Sequence, residues 1–307
     1  MSFDDKDGFI WMDGEYVEWR DAKVHVLTHT FHYGMGVFEG VRAYRTAEGP
    51  AIFRLDRHTE RLFQSAKIMG MKIPFSTEQL NKVQLEIIRK NELESAYLRP
   101  MAYYGSEAMG LHAKGLKVHV MLAAWEWGAY LGDEGLEKGI RVKTSSFSRH
   151  HVNSSMTKAK TTGHYTNSIM ALQEAENAGY DEALMLDPNG YVAEGSGENI
   201  FIIRRGKVYT PSLTSALEGI TRDTIVELLR DDMGLDVIEK QITRDEVYTA
   251  DEAFFTGTAA EVTPIRSLDD REIGNGGCGL LTQEIQSRYF DVVYGRDSAR
   301  SAWLTHA

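Results

Sequence analysis

The sequence is short of cysteine: Cys278 is the one thiol in 307 residues. A single thiol closes no internal disulfide and builds no cysteine metal cluster within one chain. Positive charge is also scarce, with 34 Lys and Arg against 45 Asp and Glu, a net charge of −11 and no basic block. A surface of that sign suits neither nucleic acid nor an anionic membrane, so neither is expected as a partner. Any anion must then be held locally, by arginines and helix N-termini. No apolar run approaches the ~18 residues that span a bilayer. The acidic start MSFDDKDGF lacks the apolar stretch of a signal peptide. These absences favour the cytoplasm. What is present is ordinary for a globular protein, 42% hydrophobic and 26% charged residues, at a length that suits two domains.

Turn chemistry and apolar period divide the chain. FIWMDGEYVEW sets apolar residues on both sides of Asp13-Gly14, which predicts a β-hairpin. LDRHTERLFQSAKIMGM (55–71) carries the helical period, and Ser76-Thr77-Glu78-Gln79 has the form of a capping box opening a second helix to about Lys90. AYLRPMAYY and KVHVMLAAW read as strands, so residues 1–125 form an expected small α+β domain. EWGAYLGDEGLEKG (126–139) is rich in glycine and acidic side chains and reads as an interdomain loop. Its aromatics suit a loop that folds over a site.

The remainder, 140–307, alternates strands and helices and reads as a large α/β domain. IRVKTSS is a strand, a helix spans 168–178, and DEALMLDPNGYVAEG places a Pro-Asn-Gly turn between two strands. NIFIIRRGKVYTP is a hairpin about Arg205-Gly206, and GITRDTIVELLRDDMG is an amphipathic helix ending at Gly234. DEAFFTGTAAEVTP is a buried strand running into a Gly-Thr turn, and a helix at 280–294 closes the chain.

Familiar motifs fail when tested. GSGENI (195–200) starts like a dinucleotide fingerprint but has Ile200 where the third glycine belongs, and it leads into a strand. Ser196 sits in Glu-Gly-Ser-Gly-Glu, which is not a nucleophile elbow, and no Walker A sequence occurs. His25, His29 and His32 lie in VHVLTHTFHYG, which alternates like a strand and then turns. Ligands on such a segment point in different directions, so zinc is not expected.

One constellation survives. MTKAKTTGHYTNS (156–168) puts two lysines at the polar mouth of the 168–178 helix. A lysine amine becomes a nucleophile or Schiff-base partner where its surroundings favour the neutral form, and Lys158 and Lys160 are both candidates. Glu194 ends a strand at a glycine-rich turn, with Glu198 four residues on. Either could serve the ring nitrogen of pyridoxal phosphate, which needs an acidic partner to act as an electron sink. Gly219-Ile220-Thr221 opens a helix whose N–H groups favour a phosphate. Gly257-Thr258 offers a second hydroxyl, and Arg61 a counter-charge.

The segments HYGMGVFEGVRAY, RLFQSAKI, AYLRP, WGAYLG, KAKTTGHY, YVAEGSGENIF, GITRD and FFTGTAAEVTP, in this order and spacing, resemble the branched-chain amino acid aminotransferases. The resemblance covers nearly the whole chain. It implies the two-domain fold-type IV (D-amino acid aminotransferase-like) fold, with pyridoxal 5′-phosphate between the domains. It also implies transfer of the amino group of leucine, isoleucine or valine to 2-oxoglutarate, in amino-acid biosynthesis. Lys160, rather than Lys158, matches the Schiff-base lysine. Tyr165 would bond the cofactor's phenolic oxygen, Glu194 its ring nitrogen, and Glu198 would support Glu194. Arg61, Ile220, Thr221 and Thr258 would hold the phosphate, and Leu217, Gly219 and Gly257 would also bind the cofactor. Tyr33, Phe38, Tyr97, Trp127 and Tyr130 would wall the pocket for an aliphatic side chain, and Arg99 would take a γ-carboxylate. Thr258, Ala259 and Ala260 would receive the α-carboxylate. Met109 and Leu111 would reach a neighbouring subunit's pocket, which implies a homodimer, or a hexamer built as a trimer of dimers.

Thr161-Thr162-Gly163-His164 and Trp125-Glu126 differ from the residues usual in that family, which bears on substrate range. Within the fold the rival activities are D-amino acid transamination, amine transamination and aminodeoxychorismate cleavage. Outside it the rival is a non-catalytic binder, against which the Lys160, Tyr165 and Glu194 set argues.

Overall fold

The computed structural model describes every residue except Met1, Ala129 and Tyr130. Its residues form two compact units. The first begins with the expected hairpin, β1 (Phe9–Met12) and β2 (Glu15–Glu18), closed by Asp13 and Gly14 at φ +49° and +108°. Both turn positions need positive φ, which an Asp-Gly pair supplies at little cost. Then come α1 (His29–Tyr33), β3 (Gly36–Phe38), β4 (Val41–Thr46), β5 (Gly49–Phe53), α2 (Leu55–Ile68), α3 (Thr77–Lys90), β6 (Ala96–Tyr104) and β7 (Val118–Trp125). The Ser76 capping box forms as its sequence implies: Ser76 Oγ accepts from Gln79 N–H, and Gln79 Oε1 accepts from Ser76 N–H.

The histidine segment departs from its strand-like reading. Residues 29–33 are a helical turn, fixed from outside by His29 N–H donating to Gly105 O at 2.8 Å. Five residues rich in His, Thr and aromatics have little helical preference of their own, so tertiary contacts decide their state.

The second unit holds α4 (Asp133–Lys138), β8 (Ile140–Thr144), α5 (Tyr165–Asn177), β9 (Glu182–Leu186), β10 (Val192–Gly195), β11 (Asn199–Arg204), β12 (Lys207–Pro211), α6 (Ile220–Met233), β13 (Val237–Lys240), α7 (Arg244–Tyr248), β14 (Glu252–Gly257), β15 (Glu261–Leu268), β16 (Arg271–Glu272) and most of α8 (Leu280–Val293). Its strands run in the order β10-β9-β8-β15-β14-β11-β12-β13, with β16 on β15. The β9–β8–β15 and β12–β13 pairings are parallel and the others antiparallel. The expected loop 126–139 contains α4, supported by the Lys138–Glu134 pair at 3.1 Å.

Chain order does not coincide with unit membership. β17 (Leu304–His306) pairs with β5 and completes the first unit's antiparallel sheet, β17-β5-β4-β6-β7-β1-β2, with β3 on β6. Residues 159–164 and 292–307 both belong to this unit rather than to the second, where 140–307 was expected to stay together. Two local pairings account for that: Leu304↔Phe53 for the terminal strand, and the bridge Val37↔Thr161.

Each unit has its own core. Val37, Val41, Ile52, Leu62, Ile87, Leu98 and Leu122 are buried in the first, and Val142, Leu184, Ile200, Ile202, Phe255 and Ile265 in the second. Each such side chain contributes about 1.5–3 kcal/mol relative to exposure. The cores make the strand ends rigid supports for the polar residues considered next.

Candidate functional site

The two lysines of KAKTTGHY have different surroundings. Lys158 Nζ donates to Leu213 O and, at 3.2 Å, to Ala216 O, and it lies 3.4 Å from Glu218 Oε1. An amine committed to two carbonyls and a carboxylate is a structural tie for the 213–218 segment. The backbone of Lys160 is anchored within the first unit. Its N–H donates to Ser65 Oγ at 3.0 Å, and its carbonyl accepts from Phe38 N–H at 3.0 Å. Its Nζ stands 5.2 Å from the centre of the Phe38 ring.

That ring also carries Arg99, whose guanidinium carbon lies 4.7 Å from it and 5.5 Å from the Tyr97 ring. Arg99 Nε is buried with no hydrogen-bond partner among the described residues. Tyr97 meets Trp127 edge-on at 4.6 Å. The first unit thus joins Lys160, Phe38, Arg99, Tyr97 and Trp127 into one group, aromatic with the Arg99 guanidinium against its rings. Tyr33, Met109 and Leu111 form a separate group at the loop 105–116. Tyr33 Oη accepts from Gly110 N–H at 3.2 Å, and Met109 and Leu111 are exposed, Leu111 at 89%. Tyr130 lies outside the described residues. Arg61, on α2, is buried against Glu39, with Nε 2.7 Å from Glu39 Oε1.

In the second unit Glu194 is the last residue but one of β10 and is buried. Its Oε2 accepts from Leu217 N–H at 3.2 Å, and Arg149 Nε lies 2.8 Å from its Oε1. Residues 196–198 reverse the chain before β11, so Glu194 and Glu198 do not share one strand face. Glu198 Oε2 accepts from Gly197 N–H at 3.1 Å. It lies 2.7 Å from where a Cβ on Gly195 would stand.

Asn199 links this turn to α6. Its Nδ2 donates to Leu217 O at 3.0 Å, and its Oδ1 occupies the place a Cβ on Gly219 would take, so a side chain at 219 would displace it. Gly219 caps α6 and brings no side-chain acceptor to the helix start. The first-turn N–H groups, those of Ile220 and Thr221 among them, have no partner within the helix. Gly257, at the end of β14, packs on Glu198, its Cβ position 3.5 Å from Glu198 Cγ. Thr258 and Ala259 are half-buried in the turn to β15, and the carbonyl of buried Ala260 accepts from Thr263 Oγ1 at 2.7 Å. Tyr165 is the first residue of α5, which starts three residues before the expected 168.

Glu194, Glu198, Leu217, Gly219 and Gly257 are therefore neighbours, with an uncapped helix start beside them. That suits an anionic group at α6 and a buried carboxylate for a cationic ring nitrogen. Sequence reasoning missed Arg149 and Asn199 here, and Glu39, His58 and Ser65 in the first unit. Glu39 alone left a trace, a charge inside the apolar run GVFEGV, where a buried carboxylate requires a partner.

Residues 36–268 match the family of amino-transferase class IV. The chain is 63% identical over 305 residues to the branched-chain-amino-acid aminotransferase of Pseudomonas aeruginosa, covering 99% of each. It is 44% identical to that of Escherichia coli strain K12, covering 97% of each. Among solved structures, the Escherichia coli branched-chain amino acid aminotransferase superimposes with a TM-score of 0.96 at 44% identity, over 98% of this chain and 99% of that one. The Thermobaculum terrenum enzyme, solved in its PLP-form, gives 0.91 at 34% identity over 97% of this chain and 98% of that one. With this likeness spanning both units, the chain belongs to the class IV amino-transferase family, among its branched-chain-amino-acid aminotransferases.

Proposed function

We propose that the protein reversibly transfers the amino group of L-leucine, L-isoleucine or L-valine to 2-oxoglutarate, using pyridoxal 5′-phosphate. The reading is supported by the uncapped start of α6 with the close approach at Gly219, by buried Glu194, and by a lysine anchored through its backbone. When bound, the cofactor supplies an electron sink for the substrate Cα.

The chain's residues supply the rest. Lys160 would hold the cofactor at its aldehyde carbon, and its amine would take the proton from the substrate Cα and return it. Glu194, ion-paired with Arg149, holds a proton on the ring nitrogen, and Glu198 stiffens the turn behind it. Tyr165 donates to the phenolic oxygen. Arg61, Thr221, Thr258 and the backbone of Leu217, Gly219, Ile220 and Gly257 hold the phosphate. Backbone from Thr258 to Ala260 receives the α-carboxylate.

One pocket must accept an aliphatic chain and a γ-carboxylate in turn. Phe38, Tyr97 and Trp127 offer the apolar wall, and Arg99, with its buried Nε, the carboxylate partner. Tyr33, Met109 and Leu111 complete the pocket of a second copy, in a homodimer or a trimer of such dimers. The exposed apolar side chains of the 105–116 loop support that assignment.

The observation that carries the proposal is the placement of Lys160, anchored through its backbone to Ser65 and Phe38 with its amine over the Phe38 ring. Visible absorption of the purified protein tests it. A yellow band that fades with L-leucine and returns with 2-oxoglutarate is expected. A band that ignores leucine but answers a D-amino acid or an amine overturns the substrate class.

A further inference from the structure

The first unit buries a charged network of which the roles above use only Arg61. Glu39 follows β3 and is wholly enclosed. Its Oε1 accepts from Arg61 Nε at 2.7 Å, its Oε2 from Arg61 Nη2 at 2.9 Å, and the same Oε2 lies 2.8 Å from His58 Nδ1. Its backbone N–H donates to Pro100 O at 2.8 Å, which ties the carboxylate to β6. His58 and Arg61 are three residues apart on α2 and so share a face. One turn further along, Ser65 accepts the backbone N–H of Lys160.

Stability alone does not explain such a network. Burying a carboxylate and a guanidinium costs several kcal/mol per ion, and apolar residues of similar volume do as well or better. A two-pronged contact does, however, fix the plane of a guanidinium, which a point charge cannot do. Burial alone would push the Glu39 carboxyl up; the Arg61 charge and the bonds from His58 and Arg61 outweigh it and hold it at about 2. Burial pushes His58 down, aided by Arg61 and Lys160 and opposed by Glu39. Glu39 is thus an anion and His58 a neutral donor through Nδ1. The Arg61 charge is already balanced by Glu39, so what it offers an arriving phosphate is chiefly direction.

We propose that Glu39 and His58 are positioning residues that orient the Arg61 guanidinium for the phosphate monoester of the cofactor, and that α2, through Arg61 and Ser65, fixes the spacing between phosphate anchor and Lys160. The inference rests on the reading of Arg61 and Lys160 given above.

The test compares pyridoxal phosphate with pyridoxal, which lacks the phosphate. Dialysis of the full-length holoenzyme measures retention of the first, and uptake by the dialysed protein measures affinity for both. Glu39→Gln is expected to weaken pyridoxal phosphate by about tenfold or more, a loss of one oriented charged contact, and to leave pyridoxal within about twofold. His58→Asn should show a smaller loss with the same selectivity. Adding Glu39→Gln to Arg61→Ala should cost nothing more, because the residue it orients is gone. Should Glu39→Gln not fold, Glu39→Asp keeps the charge, shortens its reach and should show the same selective loss. Equal weakening of both ligands, or no weakening, overturns the inference. If Arg61→Ala itself leaves pyridoxal phosphate binding unchanged, the phosphate role of Arg61 fails instead.

Discussion

Arg149 Nε lies 2.8 Å from Glu194 Oε1, and both side chains are buried. Removing one member of such a pair strands the other charge, at about 3–5 kcal/mol. Glu194→Gln keeps an oxygen for Leu217 N–H but loses the anion. The variant should still bind cofactor, while turnover of leucine falls by about two orders of magnitude, the scale of one electrostatic group aimed at a reacting centre. Single-turnover kinetics read this directly, and an unchanged rate would rule out the role of Glu194 at the ring nitrogen.

Lys160→Ala should abolish transamination, whereas Lys158→Ala should retain most of it. The second variant loses the ties to Leu213, Ala216 and Glu218, so its melting temperature should fall by a few degrees. Equal loss of activity in the two variants would sink the assignment of the reactive lysine.

Arg99→Ala should impair glutamate and 2-oxoglutarate far more than leucine. A charge-assisted contact to the γ-carboxylate is worth about 1.5–3 kcal/mol, or roughly ten- to a hundredfold in kcat/KM. On the proposed reading leucine would meet Phe38 and Tyr97, which the variant leaves in place. A uniform loss with both substrates would make Arg99 a structural residue that merely stacks on those rings.

Glu182, fully buried at the start of β9, should make stability fall as pH rises. Burial pushes its carboxyl up from 4.5 to about 7, with bonds from Ala183 and Ser196 opposing. Between those values the folded chain holds a proton that the unfolded chain has released. Its contribution is therefore complete below pH 4.5 and lost as pH climbs through about 7. Glu182→Gln should flatten the melting temperature across about pH 5 to 8. A profile of unchanged slope would show that Glu182 does not titrate there.

Much of the local structure was legible in the sequence because its causes are local. Asp13-Gly14 closes a hairpin, Ser76 and Gln79 reciprocally cap α3, and Gly219 opens α6, each through neighbours within a few residues. The same is true of AYLRPMAYY, which forms β6 over Ala96–Tyr104. The resemblance carried by KAKTTGHY and YVAEGSGENIF identified the family for the same reason: chemistry-bearing residues cluster in short segments.

Other features depended on where the chain returns. Residues 29–33 alternate in a way that suits a strand, yet a backbone bond to Gly105 and a left-handed Gly34 make them a helical turn. β17 joins β5 across more than two hundred residues, and nothing in its composition announces that pairing.

The two lysines show the division most clearly. By itself the sequence determined that a lysine, a turn-borne carboxylate and a helix N-terminus were available, because residue type and spacing are written along the chain. Only the tertiary structure decided that Lys158 would be committed to the carbonyls of residues 213 and 216 and Lys160 held by Ser65, or that Glu39 would meet Arg61. Partners so distant along the chain meet only when the cores of the sheets bring them together, since the burial of apolar surface that drives those cores is summed over the whole fold and not over any one segment.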